Sequence, residues 1–240
     1  MAKVKANVIN LSERTDRWEA FCEAWKDSDL EIVRQEAIKD ENVYHAVFFK
    51  HWEILLAAKE RGEEHCLIME DDAVPCADFV KRFKHIRDYL DIRDDWEIFN
   101  GGMLSIRDCV HKIVRIDDEG LTTMVLDVSR GCMAHFVYFK VDKALEKMKE
   151  WEADGRPEFD GWYSHKLICR ACIPFISVQK DGHSDASKSE RKWEERFKEE
   201  EMTMKYALRE FMKPLATTFS PSSSSPSPED AAENVPSSPS

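Results

Sequence analysis

The chain has 240 residues and a mass of 28.0 kDa, enough for one sizeable α/β domain or two small ones, and too long for a disulfide-framed miniprotein. Lys and Arg total 35 against 47 Asp and Glu, a formal charge of −12 with a pI near 5.2, which argues against a general nucleic-acid or anionic-membrane binder. With 42% hydrophobic and 34% charged residues, the composition predicts a soluble globular protein.

In chain order, Val4 to Leu11 reads as a strand, and Ser12 stands where an N-cap belongs, ahead of Trp18, Phe21, Cys22 and Trp25 at helical spacing. Val47, Phe48, Trp52, Leu55 and Leu56 mark a second helix stopped by Gly62, followed by an apolar strand, Cys66 to Met69, that runs into Glu70, Asp71 and Asp72. Pro75 is expected to open a helix carrying Phe79, Phe83, Ile86 and Leu90, and Trp96 to Phe99 a strand ending at Asn100, Gly101 and Gly102. Ile113 to Ile116 and Leu121 to Val128 flank Asp-Asp-Glu-Gly as a hairpin. Ala134 to Phe139 reads as a strand feeding a helix from Val141 to Trp151, Phe159 to Ala171 as helix, and Phe175 to Val178 as a last strand. Ser187 to Met212 is an amphipathic helix with Trp193, Phe197, Met204, Leu208 and Phe211 near one face.

From Pro214 onward Ser and Pro dominate. Residues 214–240 are expected to be a disordered tail carrying three of the negative charges, at Glu229, Asp230 and Glu233. The body, 1–213, is expected to be one domain: a first half, 1–105, a second half, 106–186, and a closing helix, 187–213. The longest apolar run, Ile54 to Ala58, is far short of a membrane span. The N-terminus, with Lys3 and Lys5, has no signal-like apolar core. The expectation is a cytoplasmic protein. The seven cysteines are odd in number and scattered, which suits reduced core thiols. Cys169 and Cys172 form a C-x-x-C in a helix-like stretch with no second pair to complete a zinc site.

An apolar strand ending in three acids puts carboxylates at the carboxyl edge of a sheet, where open α/β folds bind ligands. Adjacent carboxylates repel, and a divalent cation relieves that cost; hard oxygen ligands suit magnesium or manganese. Glu70 and Asp72 have the acid-x-acid spacing that chelates a cation and leaves positions for phosphate oxygens. A solvated turn or helix start is the alternative for such a triplet. Neither G-x-G-x-x-G nor a P-loop occurs, which counts against a dinucleotide dehydrogenase or P-loop ATPase. Arg14 and Arg17 lie instead on the first turn after the first strand, suited to diphosphate oxygens or to surface ion pairs with Glu13 or Asp16.

Val8-Ile-Asn-Leu-Ser-Glu-Arg-Thr-Asp-Arg17, Leu67-Ile-Met-Glu-Asp-Asp-Ala-Val74 and Trp96-Glu-Ile-Phe-Asn-Gly-Gly102 resemble glycosyltransferase family 25, the lipopolysaccharide and collagen galactosyltransferase type. Ala134-His-Phe-Val-Tyr-Phe-Lys140, Phe159-Asp-Gly-Trp-Tyr163 and Gln179-Lys-Asp-Gly-His-Ser-Asp185 resemble further segments of that family in the same order, so that the likeness spans nearly all of 4–185. The resemblance implies a GT-A type fold, a Rossmann-like mixed sheet flanked by helices. It implies inverting transfer of a sugar from a UDP-type nucleotide-diphosphate donor to a hydroxyl acceptor on a glycan or protein.

By the same carry-over Glu70 and Asp72 are the metal motif, with His183 as a further ligand that would favour manganese over magnesium. Asn10, Leu11, Arg14, Arg17, Asp71, Asn100, Gly101, Gly102 and Gln179 are expected to contact the donor. Asp160 is the expected base, with Asp185 its competitor. Gly161 would allow close approach, and Trp162 and Tyr163 would offer faces for a sugar ring; the N-cap of the following helix is the alternative for Asp160. Where the family has Ser-His on the helix before the acidic strand, this chain has Lys50-His51, and His51 suits a hydrogen-bonded core position better than catalysis. The competing functions are a metal-dependent phosphohydrolase on the same carboxylates and a non-catalytic binding relative.

Overall fold

A computed structural model describes residues 3–106, 108–118, 120–184, 188–209 and 213. The expectations for Asp185, Phe211 and the Ser/Pro tail lie outside the described residues. The first half runs β1 (Val4–Asn10), α1 (Thr15–Trp25), β2 (Leu30–Glu36), α2 (Val43–Glu60), β3 (His65–Glu70), β4 (Ala73–Pro75), α3 (Phe79–Asp91) and β5 (Ile98–Asn100). The second runs β6 (Val110–Asp118), β7 (Leu121–Val128), β8 (Phe136–Lys140), α4 (Val141–Met148), α5 (Phe159–Lys166) and β9 (Cys169–Ile173). It ends with β10 (Ser177–Gln179), β11 (Gly182–Ser184), β12 (Ser189–Arg191) and α6 (Trp193–Ala207).

Eight strands form one mixed sheet in the order β2-β1-β3-β8-β5-β9-β7-β6, as the expected mixed sheet flanked by helices requires. β1 pairs in parallel with β2 and β3, while β8 lies antiparallel between β3 and β5. β1, β2, β3 and β5 therefore point the same way, and their last residues, Asn10, Glu36, Glu70 and Asn100, lie along one edge. β8 enters at that edge, where the His135 carbonyl accepts a hydrogen bond from the Glu70 amide at 3.1 Å. Helices cover both faces of the sheet. One core gathers Phe48, Leu55, Phe139, Trp151, Phe159, Tyr163 and Phe197, and the other Phe21, Trp25, Phe83, Trp96, Phe136 and Tyr138.

Several elements differ from expectation. β2 was not foreseen: Leu30–Glu36 is an edge strand with one side partly exposed, and its charged residues hide the apolar set. α1 starts at Thr15, with Arg14 and not Ser12 at the cap position and no side-chain cap. Pro75 belongs to β4, which pairs with β10, and the helix starts four residues later at Phe79. α5 stops at Lys166 because Leu167 turns extended (ψ 152°), so that the remainder of the expected helix becomes β9. A five-residue buried run such as Cys169–Ile173 suits a strand or a core helix equally by periodicity. The hairpin β6·β7 is as expected, and the final helix buries Phe197, Met204 and Leu208 as expected, but it starts at Trp193 and not Ser187, because Ser189–Arg191 pairs as β12 with β11.

All seven cysteines are free. Cys169 and Cys172 sit three apart on a strand, so they point to opposite faces and each joins a different core. That geometry forbids a shared metal or disulfide, and burial pushes both thiols up. His51 is fully buried with its Nδ1 donating to the Val47 carbonyl at 2.9 Å, as the core reading of this residue expects.

Burial lowers His135 to about 4, with only partial opposition from the Ser177 backbone. An unfolded imidazole titrates near 6.5, so between these values the unfolded chain binds a proton that the folded chain refuses. The folded state gains from this residue's neutrality above pH ~6.5 and loses that advantage as the pH falls toward 4. Denaturant titrations of wild type and His135→Asn at pH 7.5 and 4.5 are expected to show a smaller acid-induced loss in the variant, by on the order of 2 kcal/mol.

Candidate active site

The carboxyl edge of the sheet is organised around three consecutive acids. Asp71 is paired: it accepts from Arg17 Nη1 at 2.8 Å through Oδ1 and from Asn10 Nδ2 at 2.5 Å through Oδ2. Asn10 is placed by β1 and by Arg34 of β2, which donates to Asn10 Oδ1 from Nε at 2.8 Å and caps the Leu11 and Ser12 carbonyls. Arg34 also lies over the Trp18 ring at 5.2 Å. Arg17 reaches on to Asp72 at 3.8 Å and, through Nη2, to the His183 carbonyl at 2.6 Å.

Glu70 and Asp72 are held differently. Gln179 Nε2 donates to Asp72 Oδ2 at 2.8 Å and to Glu70 Oε2 at 3.4 Å. The pairing of β4 with β10, Ala73 opposite Gln179, fixes this contact. Asp72 Oδ1 and Gln179 Oε1 are buried without a partner. Enclosure by surrounding protein raises the Asp72 carboxyl to about 6, with Asp71 adding to it, and Arg17 and Gln179 opposing. Glu70 is raised well above the usual range, first by enclosure and then by the charges of Asp72, Asp160 and Asp71. Both residues are partly exposed.

Two cavities meet at this point, sharing Glu41, Val43, Val47 and Glu70. The first, about 570 Å³, is walled by Ile9, Leu11, Ile38, Ala46, Lys50 and His51. The second, about 750 Å³, is walled by Tyr44, Met133, Glu158, Asp160, Gln179 and Trp193.

The structure thus brings together Asn10, Leu11, Arg17, Glu70, Asp71, Asp72, Asp160 and Gln179 of the residues singled out in the sequence. Others have different surroundings. Arg14 pairs with Asp16 at 3.1 Å, the surface alternative. The His183 ring is half exposed, with Nδ1 3.5 Å from Glu190 across the β11·β12 hairpin. Only its backbone carbonyl is tied to the acidic motif. Among the described residues no three His, Cys, Asp or Glu side chains are grouped to hold a metal ion by themselves.

Asn100 is fully buried as a pin: Nδ2 donates to the Met133 carbonyl and the Tyr163 hydroxyl, and Oδ1 accepts from the Gly102 amide. Gly101 and Gly102 serve close packing, since a Cβ on Gly102 would stand 2.1 Å from the Ser177 carbonyl oxygen and one on Gly101 2.6 Å from Phe136. Trp162 and Tyr163, expected to present faces to a sugar, are buried instead. The indole donates to Asp154 and the phenol to the Met133 carbonyl.

Asp160 is not the cap of α5, which is Glu158. Its carboxylate accepts from the Met133 amide at 3.1 Å and the Gly161 amide at 2.9 Å, holding Met133 at φ +96°. Sequence reasoning missed Arg34, Tyr44, Glu158 and Trp193. Only the aromatic side chains flanking helix starts gave any signal for the last and for Tyr44.

No protein-family model matches the chain, and no curated protein does. Among solved structures it is similar to a glycosyltransferase involved in the glycosylation of the major capsid of PBCV-1, with a TM-score of 0.34 and 14% identity. That match covers 61% of this chain and 64% of the other, so the chain spans less than two thirds of that structure. It is also similar to mannose-1-phosphate geranyltransferase from Thermus thermophilus, with a TM-score of 0.35 and 10% identity over 71% of this chain and 73% of that one. The reading of the site rests on its own residues.

Gly102→Ala is expected to destabilise the protein by about 3 kcal/mol, because a backbone carbonyl cannot retreat as a side chain does. Gly161→Ala, whose added Cβ meets nothing within 4 Å, is expected to stabilise α5 by about 0.5–1 kcal/mol. Thermal or denaturant midpoints of the two variants check both signs.

Proposed function

We propose that the chain is a GT-A type glycosyltransferase that moves a sugar from a nucleotide-diphosphate donor to a hydroxyl acceptor, with a divalent cation between Glu70 and Asp72. The observation that carries this reading is the position of Glu70, at the carboxyl end of β3 and in the wall of both cavities. A donor with its nucleoside in the first cavity and its diphosphate over the acidic motif would present its sugar to the second.

The residues fit a cation. Two raised carboxyls and a buried Asp72 Oδ1 without a partner are an excess of negative charge and an open ligand position in one place. Two carboxylates with the remaining positions filled by water and phosphate oxygens suit magnesium or manganese. The cation would supply charge neutralisation to the departing diphosphate. His183 is not needed for it, so nothing in the geometry favours manganese.

The chain's own residues do the rest. Arg17 offsets the charge of Asp71 and Asn10 hydrogen-bonds it, leaving Glu70 and Asp72 as the pair for a cation. Leu11, Ile38 and Val43 give the first cavity apolar walls for a nucleobase. Asp160 lies in the second cavity and keeps lone pairs beyond its two backbone bonds, so it is placed to take the acceptor proton. With the donor in the first cavity and the acceptor hydroxyl in the second, attack on the face away from the diphosphate would give inversion, the outcome that the family resemblance implies.

Purified protein with manganese or magnesium is expected to hydrolyse or transfer from at least one of a panel of sugar nucleotides. Asp72→Asn is expected to lose about a hundredfold or more of that rate, and Arg14→Ala to lose little, since Arg14 pairs with Asp16. Equal rates in wild type and Asp72→Asn overturn the proposal.

A further inference from the structure

The second cavity has a lining that narrows what the acceptor is. Its acidic residues among those described are Glu41, Glu70, Glu158 and Asp160, against one cation, Arg191. Gln179 adds an amide whose Nε2 is spent on Glu70 and Asp72, while its Oε1 is buried and has no partner. Side-chain oxygens that accept hydrogen bonds therefore dominate the cavity, and a ligand that satisfies them has to donate. Such a surface repels anions, because a carboxylate or phosphate would meet like charge with little to offset it.

Two aromatic residues complete the wall. Tyr44, in the first turn of α2, is 47% exposed and forms part of the cavity wall. Trp193, the first residue of α6, is partly buried, with Arg191 and Arg196 over its ring at 5.7 and 4.8 Å. Rings of this kind offer an apolar face with a polar tip. A pyranose has the complementary build: a face of C–H groups, and a rim of hydroxyls that donate.

We infer that the second cavity is an acceptor subsite for an uncharged sugar ring, stacked on Tyr44 beside Trp193 and donating hydroxyl hydrogens to Glu158 and Asp160. This rests on the glycosyltransferase reading and adds the class of acceptor to it. An unglycosylated peptide hydroxyl has no face for the aromatic pair, and a uronate or phosphorylated sugar brings the wrong charge.

The experiment reads binding, so that it does not depend on turnover or on knowing the donor sugar. Saturation-transfer NMR and titration are run on the full chain with neutral methyl hexopyranosides, a methyl glucuronide, a methyl glucosaminide and a serine-containing peptide. A thermal-shift assay with UDP and manganese is run in parallel. The neutral glycosides are expected to bind at least tenfold more tightly than the glucuronide and the peptide. Tyr44→Ala is expected to weaken them about fivefold or more, with Tyr44→Phe retaining most of the affinity. Tyr44 is half exposed, so an unchanged melting temperature in Tyr44→Ala shows that the loss is local.

Preference for the glucuronide, the cationic glucosaminide or the peptide overturns the inference, as does full affinity in Tyr44→Ala. No shift with UDP and manganese, together with neutral-sugar binding that Tyr44→Ala weakens, would refute the donor reading and leave the sugar subsite standing. A UDP shift without sugar binding would do the reverse.

Discussion

Three negative charges in succession at the end of a buried strand are the constraint on which the arrangement of this protein depends. At separations of a few ångströms and partial enclosure, like carboxylates raise one another and oppose folding unless each finds an opposite charge or a donor. The protein resolves the triplet unevenly. Asp71 is paired closely with Arg17 and hydrogen-bonded by Asn10, whereas Glu70 and Asp72 share a neutral amide from Gln179, with Arg17 at the longer distance of 3.8 Å from Asp72. The uneven treatment concentrates the remaining charge on Glu70, which lines both cavities, and on Asp72 beside it, and it requires four separate pieces of chain, β1, α1, β3 and β10, to arrive at one edge.

That convergence also accounts for the buried polar residues that cluster there. Asn10, Asn100, His135, Ser177 and Gln179 are all buried within a short stretch of the sheet edge. Asn10 and Asn100 are satisfied by specific donors and acceptors where strands end and ladder hydrogen bonds run out, whereas the His135 ring nitrogens, Ser177 Oγ and Gln179 Oε1 are enclosed without a partner. Asn100 and the two glycines after it show the same economy of space. Where the sequence resembles a ligand-binding loop, the structure uses a fully satisfied amide and two missing side chains to let β10 cross close by.

Much of the site was legible in the sequence, for a physical reason: an apolar run that ends abruptly in acids marks a central strand meeting a polar edge. Gln179 was reachable only through the resemblance, because its role depends on a three-residue ribbon between β4 and β10 that no periodicity reveals. Arg14 and Arg17 are chemically alike and three residues apart, and only the tertiary positions of Asp16 and Asp71 separate surface from site. The expectation for aromatic faces in the cavity wall fails for a related reason. Trp162 and Tyr163 neighbour Asp160 in sequence, but α5 turns them into the core, while Tyr44 and Trp193 come from helix starts distant in sequence that face the same cavity. β2 escaped notice because an edge strand with one side partly exposed carries charged residues in its sequence.

The ribbon between β4 and β10 has a further consequence for how the protein tolerates change in length. Its register sets which side chain meets Asp72, and its neighbours, Val178 and Lys180, would bring an apolar group or a cation in place of an amide. An insertion or deletion between Ile173 and Gln179 would therefore reprogram the chemistry at the acidic edge even with every strand intact. The same change at the far turn between Asp118 and Leu121 would alter only the reach of an outer hairpin. Loop length near the centre of this sheet thus behaves as a chemical variable, and near its edge as a mechanical one.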